Sequence, residues 1–293
     1  MECCASRLRM GTKILIDNAS LDRILLWPER AQEELRRSLS GQRFTVYFAP
    51  ETIAEMLAIG ATRNASRLPE LASLVTALLN GRIFQDYFSV LKHEVKGDRT
   101  SPFLGEGDKR AILKRLSSLA THGIPDDREW FLHGESLIRK EKERDSQWRK
   151  GFQELYRGRP QEMKKSGVGR VTLDEFRAHP SVKHLVSSRV EATCIEVGLP
   201  DPAHRARQLL ESMERLSPVL HTHITVRTAR LWWYTESSPE GRRASEDEFD
   251  DALLVYMADL DWLVTPDCGL QSFFRITYPQ KQVLNPDEFQ QRV

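Results

Sequence analysis

The chain has 293 residues, of which 43 are basic and 42 acidic, so its net charge is +1. This balance excludes a protein that coats nucleic acid through overall positive charge, although a local basic patch still attracts phosphate. No stretch approaches the roughly 18 apolar residues of a membrane helix, and no apolar run typical of a signal peptide follows the N-terminus. The four cysteines lack C-x-x-C spacing. Their usage favours a reducing compartment, so we expect a cytoplasmic protein.

Short apolar runs alternate with helical patterns over the first 92 residues. Runs rich in β-branched and aromatic residues predict buried strands. The strand candidates are KILID (13–17), FTVYFA (44–49) and RIFQDYF (82–88). Apolar residues at helical spacing predict helices over 21–39 with a break at Pro28, from Pro50 onward, and over 69–80.

The character of the chain changes over 93–222, where charges crowd together and the apolar spacing is weakly helical. Within it, 139–170 has eleven basic and five acidic residues, with Trp148, Phe152 and Tyr156 at four-residue steps. This segment either grips an RNA backbone, with an aromatic ring stacked on a base, or is a solvated helix whose aromatic stripe packs inward. We expect a mainly helical insertion here.

Alternation of helix and strand returns near the end of the chain. Ser245 and Glu248 have capping-box spacing, which predicts a helix through ALLVYMA (252–258). DWLVT (261–265) and the short run 282–284 predict two further strands. Strands that alternate with helices indicate an α/β fold, with an open, mostly parallel sheet covered on both faces.

Four acidic residues occupy positions where parallel α/β sheets collect functional groups. Asp17 and Asp267 follow predicted strands, while Glu55 and Asp251 lie in the first turns of predicted helices. All four are therefore expected at the carboxyl edge of the sheet. Carboxylates gathered there need a compensating cation, and Mg²⁺ and Mn²⁺ prefer oxygen ligands. The pattern predicts a divalent metal site.

Several segments resemble the motifs of the PIN-domain nuclease superfamily. ILIDNASL resembles the first motif, PETIAEML the second, and FDDALLVYMADLDWLVTPDCGL the third and fourth together. VLNPDEF is similar to the closing strand of bacterial toxin-type PIN domains. The resemblance covers roughly the first 90 and last 70 residues. It implies a PIN-like α/β/α sandwich whose core, 1–92 and 223–293, is interrupted by a mainly helical insertion over 93–222.

The resemblance also implies roles for individual residues. The implied metal ligands are Asp17, Glu55, Asp251 and Asp267, with Asp250 and Asp247 as alternatives for the third. Thr265 would orient a water or a ligand carboxylate through its hydroxyl. Ala19 departs from the family, which often has a hydroxyl residue or Asn there. The residues that could contact substrate instead are Asn18 and Ser20, with Arg242 and Arg243 as candidates for holding phosphate.

The function implied by the resemblance is hydrolysis of RNA by metal-activated water, with Mg²⁺ or Mn²⁺ as cofactor. By analogy, the nuclease would be a toxin or defence effector, and its partners would be RNA, an antitoxin or other protein, and a second copy of the chain. Two alternatives stay open. Ala19 and the insertion also suit a catalytically inactive PIN scaffold that binds RNA or protein, and the same metal chemistry suits a DNA nuclease.

Overall fold

The computed structural model describes residues 11–62, 65–123, 171–237 and 247–293. In these ranges the strands are β1 (Thr12–Ile16), β2 (Phe44–Tyr47), β3 (Trp262–Val264) and β4 (Gln282–Leu284). The helices of the first half are α1 (Asn18–Leu25), α2 (Glu29–Ser40), α3 (Pro50–Thr62), α4 (Leu68–Leu78), α5 (Tyr87–Lys96) and α6 (Glu106–His122). Those of the second half are α7 (Leu173–Ala178), α8 (Pro180–Glu196), α9 (Pro202–Leu216), α10 (Pro218–Ser237), α11 (Asp247–Tyr256), α12 (Cys268–Thr277) and α13 (Pro286–Gln290).

The four strands form one sheet in the order β2-β1-β3-β4, and every pairing is parallel. At its centre Ile14 pairs with Val46 on one side and with Trp262 on the other. The sheet therefore joins strands from the two ends of the chain. The predicted α/β class with a parallel sheet is confirmed, and carboxyl ends of β1 and β3 lie side by side.

Apolar side chains cover both faces of the sheet because successive residues of a strand point to opposite sides. Ile14 and Ile16 contribute to a core that includes residues of α1, α2, α4 and α6, whereas Leu15 belongs to a second core with α10, α11 and α12. These three apolar side chains of β1 are fully buried. The central strand β1, which Asp17 follows directly, is thus fixed by packing on both sides.

The predicted third strand over 82–88 is only partly present. Two isolated bridges occur, Phe48 with Ile83 and Phe84 with Phe103. The chain then turns into α5, because the side chain of Asp86 accepts hydrogen bonds from the backbone N–H groups of Phe88 and Ser89. The cap ends the extended segment early. Pro28, by contrast, separates α1 from α2 as predicted.

The described residues between 93 and 222 are mainly helical, as the sequence indicates. Helices α5, α8, α9 and α10 share a core of their own that contains Leu91, Val190 and Leu209. Helix α6 differs, because Leu116 and Leu119 belong to the core on the first face of the sheet. Neither predicted boundary of the insertion falls at the end of a helix. No helix in the described ranges is long and apolar enough to cross a bilayer.

Candidate metal centre

Asp17 is held at the carboxyl edge of the sheet by the turn from β1 into α1. Its backbone N–H continues the sheet pairing by donating to the carbonyl of Val264 over 3.1 Å. Its side chain caps the helix, since Oδ1 accepts a 2.7 Å hydrogen bond from the N–H of Ser20. Strand pairing and helix capping together leave the carboxylate little freedom, and only 7% of the residue is exposed.

Asp267 uses the same device at the end of the neighbouring strand. It lies three residues beyond the end of β3, and its Oδ1 accepts a 2.7 Å hydrogen bond from the N–H of Leu270. It caps α12 just as Asp17 caps α1. Asp267 is exposed, whereas Asp17 is buried. Both acids follow strands at the carboxyl edge of the sheet, as the sequence predicts, and the two strands are neighbours. Their predicted role as metal ligands stays a prediction.

Thr265 connects the two acids. Its hydroxyl donates a 2.5 Å hydrogen bond to Oδ2 of Asp17. The Oγ1 atom of Thr265 also accepts a 3.1 Å hydrogen bond from the N–H of Asp267. Gln271 donates to the carbonyl of Thr265, so the residue is also fixed through its backbone. Thr265 is fully buried. Its predicted role, to orient a water or a ligand carboxylate, stays a prediction.

Ser20 has a different role from the substrate contact that its sequence position suggests. The residue is fully buried, and its hydroxyl donates a 2.9 Å hydrogen bond to the carbonyl of Val264. It cannot reach a substrate because that hydroxyl ties α1 to the end of β3. Asn18, the first residue of α1, lies beside Asp17 and is 9% exposed. Its predicted contact with substrate stays a prediction.

The electrostatics around Asp17 favour a bound cation. Burial raises the pKa of its carboxyl group above the ordinary value, and the nearby charge of Asp267 raises that pKa further. Hydrogen bonds from Thr265 and Ser20 lower it, but both donors are neutral. Among the described residues no cationic side chain pairs with Asp17. A positive ion placed between Asp17 and Asp267 would remove both penalties, so the pair fits a hard divalent metal.

Glu55 lies on α3, one turn after Glu51. Glu51 has a structural contact. Its Oε1 accepts a 3.1 Å hydrogen bond from the hydroxyl of Tyr256, and that hydroxyl accepts a hydrogen bond from the N–H of Tyr87. This contact joins α3, α5 and α11. Burial, followed by the charges of Glu51 and Asp86, raises the pKa of Tyr256 well above its usual value. Glu55 is half-buried and stays the predicted second ligand.

Asp251 is buried between two arginines of α10. Its Oδ2 accepts a 2.9 Å hydrogen bond from Nη1 of Arg227, and its Oδ1 accepts a 2.8 Å hydrogen bond from Nε of Arg230. Only 2% of Asp251 is exposed. Because guanidinium groups occupy both oxygens, the geometry disfavours a direct metal bond. The sequence pattern missed this pairing, although Arg227 and Arg230 lie three residues apart on one face of a helix.

Other predicted contacts lie outside the described residues. They are Arg242, Arg243, the side chain of Asp247 and the basic segment 139–170. Within the ranges that the structure describes, no three His, Cys, Asp or Glu side chains are grouped closely enough to hold a metal by themselves. Two carboxylates suffice for Mg²⁺, which usually keeps several waters and takes one or two carboxylates plus a substrate phosphate.

Fold and site together define an α/β protein with a parallel sheet whose carboxyl edge carries Asp17 and Asp267. The hydroxyl of Thr265 bonds the carboxylate of Asp17 and the backbone N–H of Asp267. The chain matches no family model, no curated protein and no solved structure.

Proposed function

We propose that the chain is a PIN-type, divalent-metal-dependent endoribonuclease. The observation that carries the proposal is the pair formed by Asp17 and Asp267, joined through Thr265 at the carboxyl ends of adjacent parallel strands. Functional groups of parallel α/β sheets collect at this edge. The order of motifs along the chain, and the adjacency of the strands that carry the first and last acids, support a PIN-like arrangement.

In this proposal Asp17 and Asp267 hold Mg²⁺ or Mn²⁺, and Glu55 of α3 would act through a metal-bound water, because the three side chains are not grouped closely enough to bind one ion directly. A bound divalent ion polarises a phosphodiester, lowers the pKa of water and stabilises the leaving oxygen. Thr265 keeps Oδ2 of Asp17 in one orientation, and Ser20 keeps α1 against β3. Asn18, at the start of α1 next to Asp17, stays the predicted substrate contact.

A second candidate function is a catalytically inactive PIN scaffold that binds RNA or a protein. The observation that favours it is the burial of Asp251 between Arg227 and Arg230, which withdraws one acid of the family pattern from the metal site. A role as a toxin or defence effector, with an antitoxin or a second copy as partner, rests on analogy with the family alone.

The experiment that tests the proposal is cleavage of matched, end-labelled RNA and DNA oligonucleotides by the purified protein with Mn²⁺, Mg²⁺ or EDTA. We expect RNA cleavage with either metal, no cleavage in EDTA, and loss of more than about 100-fold in the Asp17→Asn variant. Asp261→Asn is the matched control, because Asp261 precedes β3 at the opposite edge and accepts a hydrogen bond from the N–H of Lys13.

The outcomes separate the candidate functions. Full activity in EDTA or in the Asp17→Asn variant would contradict the metal site. Binding of RNA without cleavage, unaffected by metal, would support the inactive scaffold. Cleavage of the DNA strand alone would assign the same site to a DNA nuclease, because the metal chemistry does not require a 2′-hydroxyl.

A further inference from the structure

The pairing between β3 and β4 ends at a proline. Gln282 donates its N–H to the carbonyl of Asp261, which precedes β3. Thr265, which follows β3, donates its N–H to the carbonyl of Leu284. In a parallel ladder the donor to the carbonyl of Thr265 would then be the residue two places after Leu284. That residue is Pro286, the first residue of α13, which has no N–H to donate. The ladder therefore cannot supply a donor for the carbonyl of Thr265.

A side chain of α12 supplies the hydrogen bond that the ladder lacks. Nε2 of Gln271 donates to the carbonyl oxygen of Thr265 over 2.8 Å, and only 8% of Gln271 is exposed. Thr265 is fully buried, so solvent does not reach this carbonyl. A buried carbonyl that loses its donor is unfavourable, and the contact is therefore stabilising. Gln271 takes the place of the backbone N–H that Pro286 does not have.

The neighbours of Gln271 allow its amide group only one orientation. Nη2 of Arg275, one turn further along α12, donates to Oε1 of Gln271 over 3.4 Å. A guanidinium group has donors only, and a backbone carbonyl only accepts. The amide oxygen of Gln271 must therefore face Arg275, and the amide nitrogen must face Thr265. Two side chains of α12 thus hold the turn that follows β3.

The backbone of Thr265 determines where its hydroxyl points. Its N–H is bonded to Leu284 and its carbonyl to Gln271, so the backbone is fixed on both groups. Threonine is β-branched and stiff at χ1, so its hydroxyl moves with the backbone. That hydroxyl donates to Oδ2 of Asp17 and accepts from the N–H of Asp267. A change in the backbone of Thr265 would therefore disturb the hydrogen bonds of both acids.

We propose that Gln271 is a positioning residue of the candidate metal centre, which acts on Asp17 and Asp267 through the backbone of Thr265. Arg275 supports this role, because it orients the amide of Gln271. The inference rests on the proposed function and extends it to a residue that lies just beyond the segments resembling the family motifs. Helix α12 then contributes one acid at its cap and, one turn later, the side chain that keeps the neighbouring acid in place.

The first test measures local order in the metal-free protein, by amide hydrogen exchange in EDTA. The two reporter amides are the N–H of Asp267, bonded to Oγ1 of Thr265, and the N–H of Ser20, bonded to Oδ1 of Asp17. Gln271→Met keeps the length of the side chain but removes the donor, so we expect about tenfold faster exchange at both amides. Exchange at the parent's rate at both reporter amides would overturn the inference.

A second variant restores a donor from the other side of the carbonyl. Asn285 is still extended, with φ −77° and ψ 164°, so an N–H at position 286 would continue the ladder toward Thr265. Adding Pro286→Ala to Gln271→Met should therefore slow exchange at the two reporter amides. Exchange as fast as in Gln271→Met alone would overturn the role of Gln271 as the replacement donor. Should Gln271→Met not fold, Arg275→Met alters an exposed side chain and gives the same comparison: faster exchange supports the inference and the parent's rate overturns it.

Calorimetric titration of Mn²⁺ connects this order with binding. We expect an affinity about tenfold weaker in Gln271→Met than in the parent protein. The matched control is Asn80→Ala, because the amide of Asn80 also bonds a strand carbonyl, that of Phe44 at the start of β2, on the opposite edge of the sheet. Unchanged affinity in Gln271→Met, or an equal loss in Asn80→Ala, would overturn the inference. Absence of Mn²⁺ binding in the parent would contradict the proposed function, whereas exchange in EDTA decides the positioning role by itself.

Discussion

The hydroxyl of Thr265 donates a 2.5 Å hydrogen bond to Oδ2 of Asp17, across 248 positions of sequence. Because Thr265 is fully buried and also accepts a hydrogen bond from the N–H of Asp267, one side chain sets the positions of two acids. The site is therefore organised before any ligand arrives.

Replacement of Thr265 by Val tests this organisation. The variant keeps the shape but leaves Oδ2 of Asp17 and the N–H of Asp267 without their shared partner, so we expect a loss of about 1–3 kcal/mol of stability. Metal affinity should fall about 10- to 100-fold, as for other residues that orient a ligand. Thr265→Ser should keep most of the metal affinity, because it retains the hydroxyl. Thr277→Val is the control, since the buried hydroxyl of Thr277 bonds only the carbonyl of Phe273 within α12.

The raised pKa of Asp17 predicts how stability depends on pH. In the metal-free protein the folded state releases this proton at higher pH than the unfolded chain, whose ordinary value is 3.8. Between the ordinary pKa of 3.8 and the higher pKa of the folded state, the native state binds more protons than the unfolded chain. The stability that this group contributes therefore falls as pH rises above 3.8. Chemical denaturation in EDTA at several pH values measures this. The free energy of unfolding should fall less steeply with rising pH in Asp17→Asn than in the parent protein. Identical pH profiles for both proteins would contradict the burial penalty.

Variants of Glu51 and Glu55, which lie one turn apart on α3, should distinguish a metal ligand from a structural residue. Glu55→Gln should weaken Mn²⁺ binding by about tenfold or more, because it removes a charge from the predicted ligand set. Glu51→Gln should leave Mn²⁺ affinity unchanged, because Glu51 bonds the hydroxyl of Tyr256 and an amide oxygen can accept the same bond. Calorimetric titration of both variants measures this. An effect of Glu51→Gln alone would reverse the two roles.

Removal of Arg230 should destabilise the protein strongly. Arg230→Ala takes one guanidinium from a carboxylate that is 2% exposed and empties the space over Phe273. Breaking a buried ion pair from one side usually costs about 3–5 kcal/mol. We expect a loss of this size in urea denaturation. Arg177→Ala should cost little, because Arg177 pairs with the 93% exposed side chain of Asp174.

Local patterns in the sequence predicted the central sheet and the two strand-end acids. β-branched runs identify β1 to β3. An Asp at the end of a strand can be predicted from the adjacent residues alone, because the strand itself is a local pattern. The contacts missed are those between distant segments. The arginines that surround Asp251 lie 21 and 24 residues before it, and the hydroxyl of Ser20 meets a carbonyl 244 residues away. The strand over 82–88 was overpredicted because the capping side chain of Asp86 outweighs the β propensity around it.

Titration of Mn²⁺ into the metal-free protein tests the central claim most directly. We expect saturable binding that is lost in both Asp17→Asn and Asp267→Asn and retained in Asp261→Asn. The control is matched, because Asp261 and Asp267 flank opposite ends of the same strand, β3. Equal Mn²⁺ binding in all four proteins, or none in the parent, would contradict a metal centre built on Asp17 and Asp267.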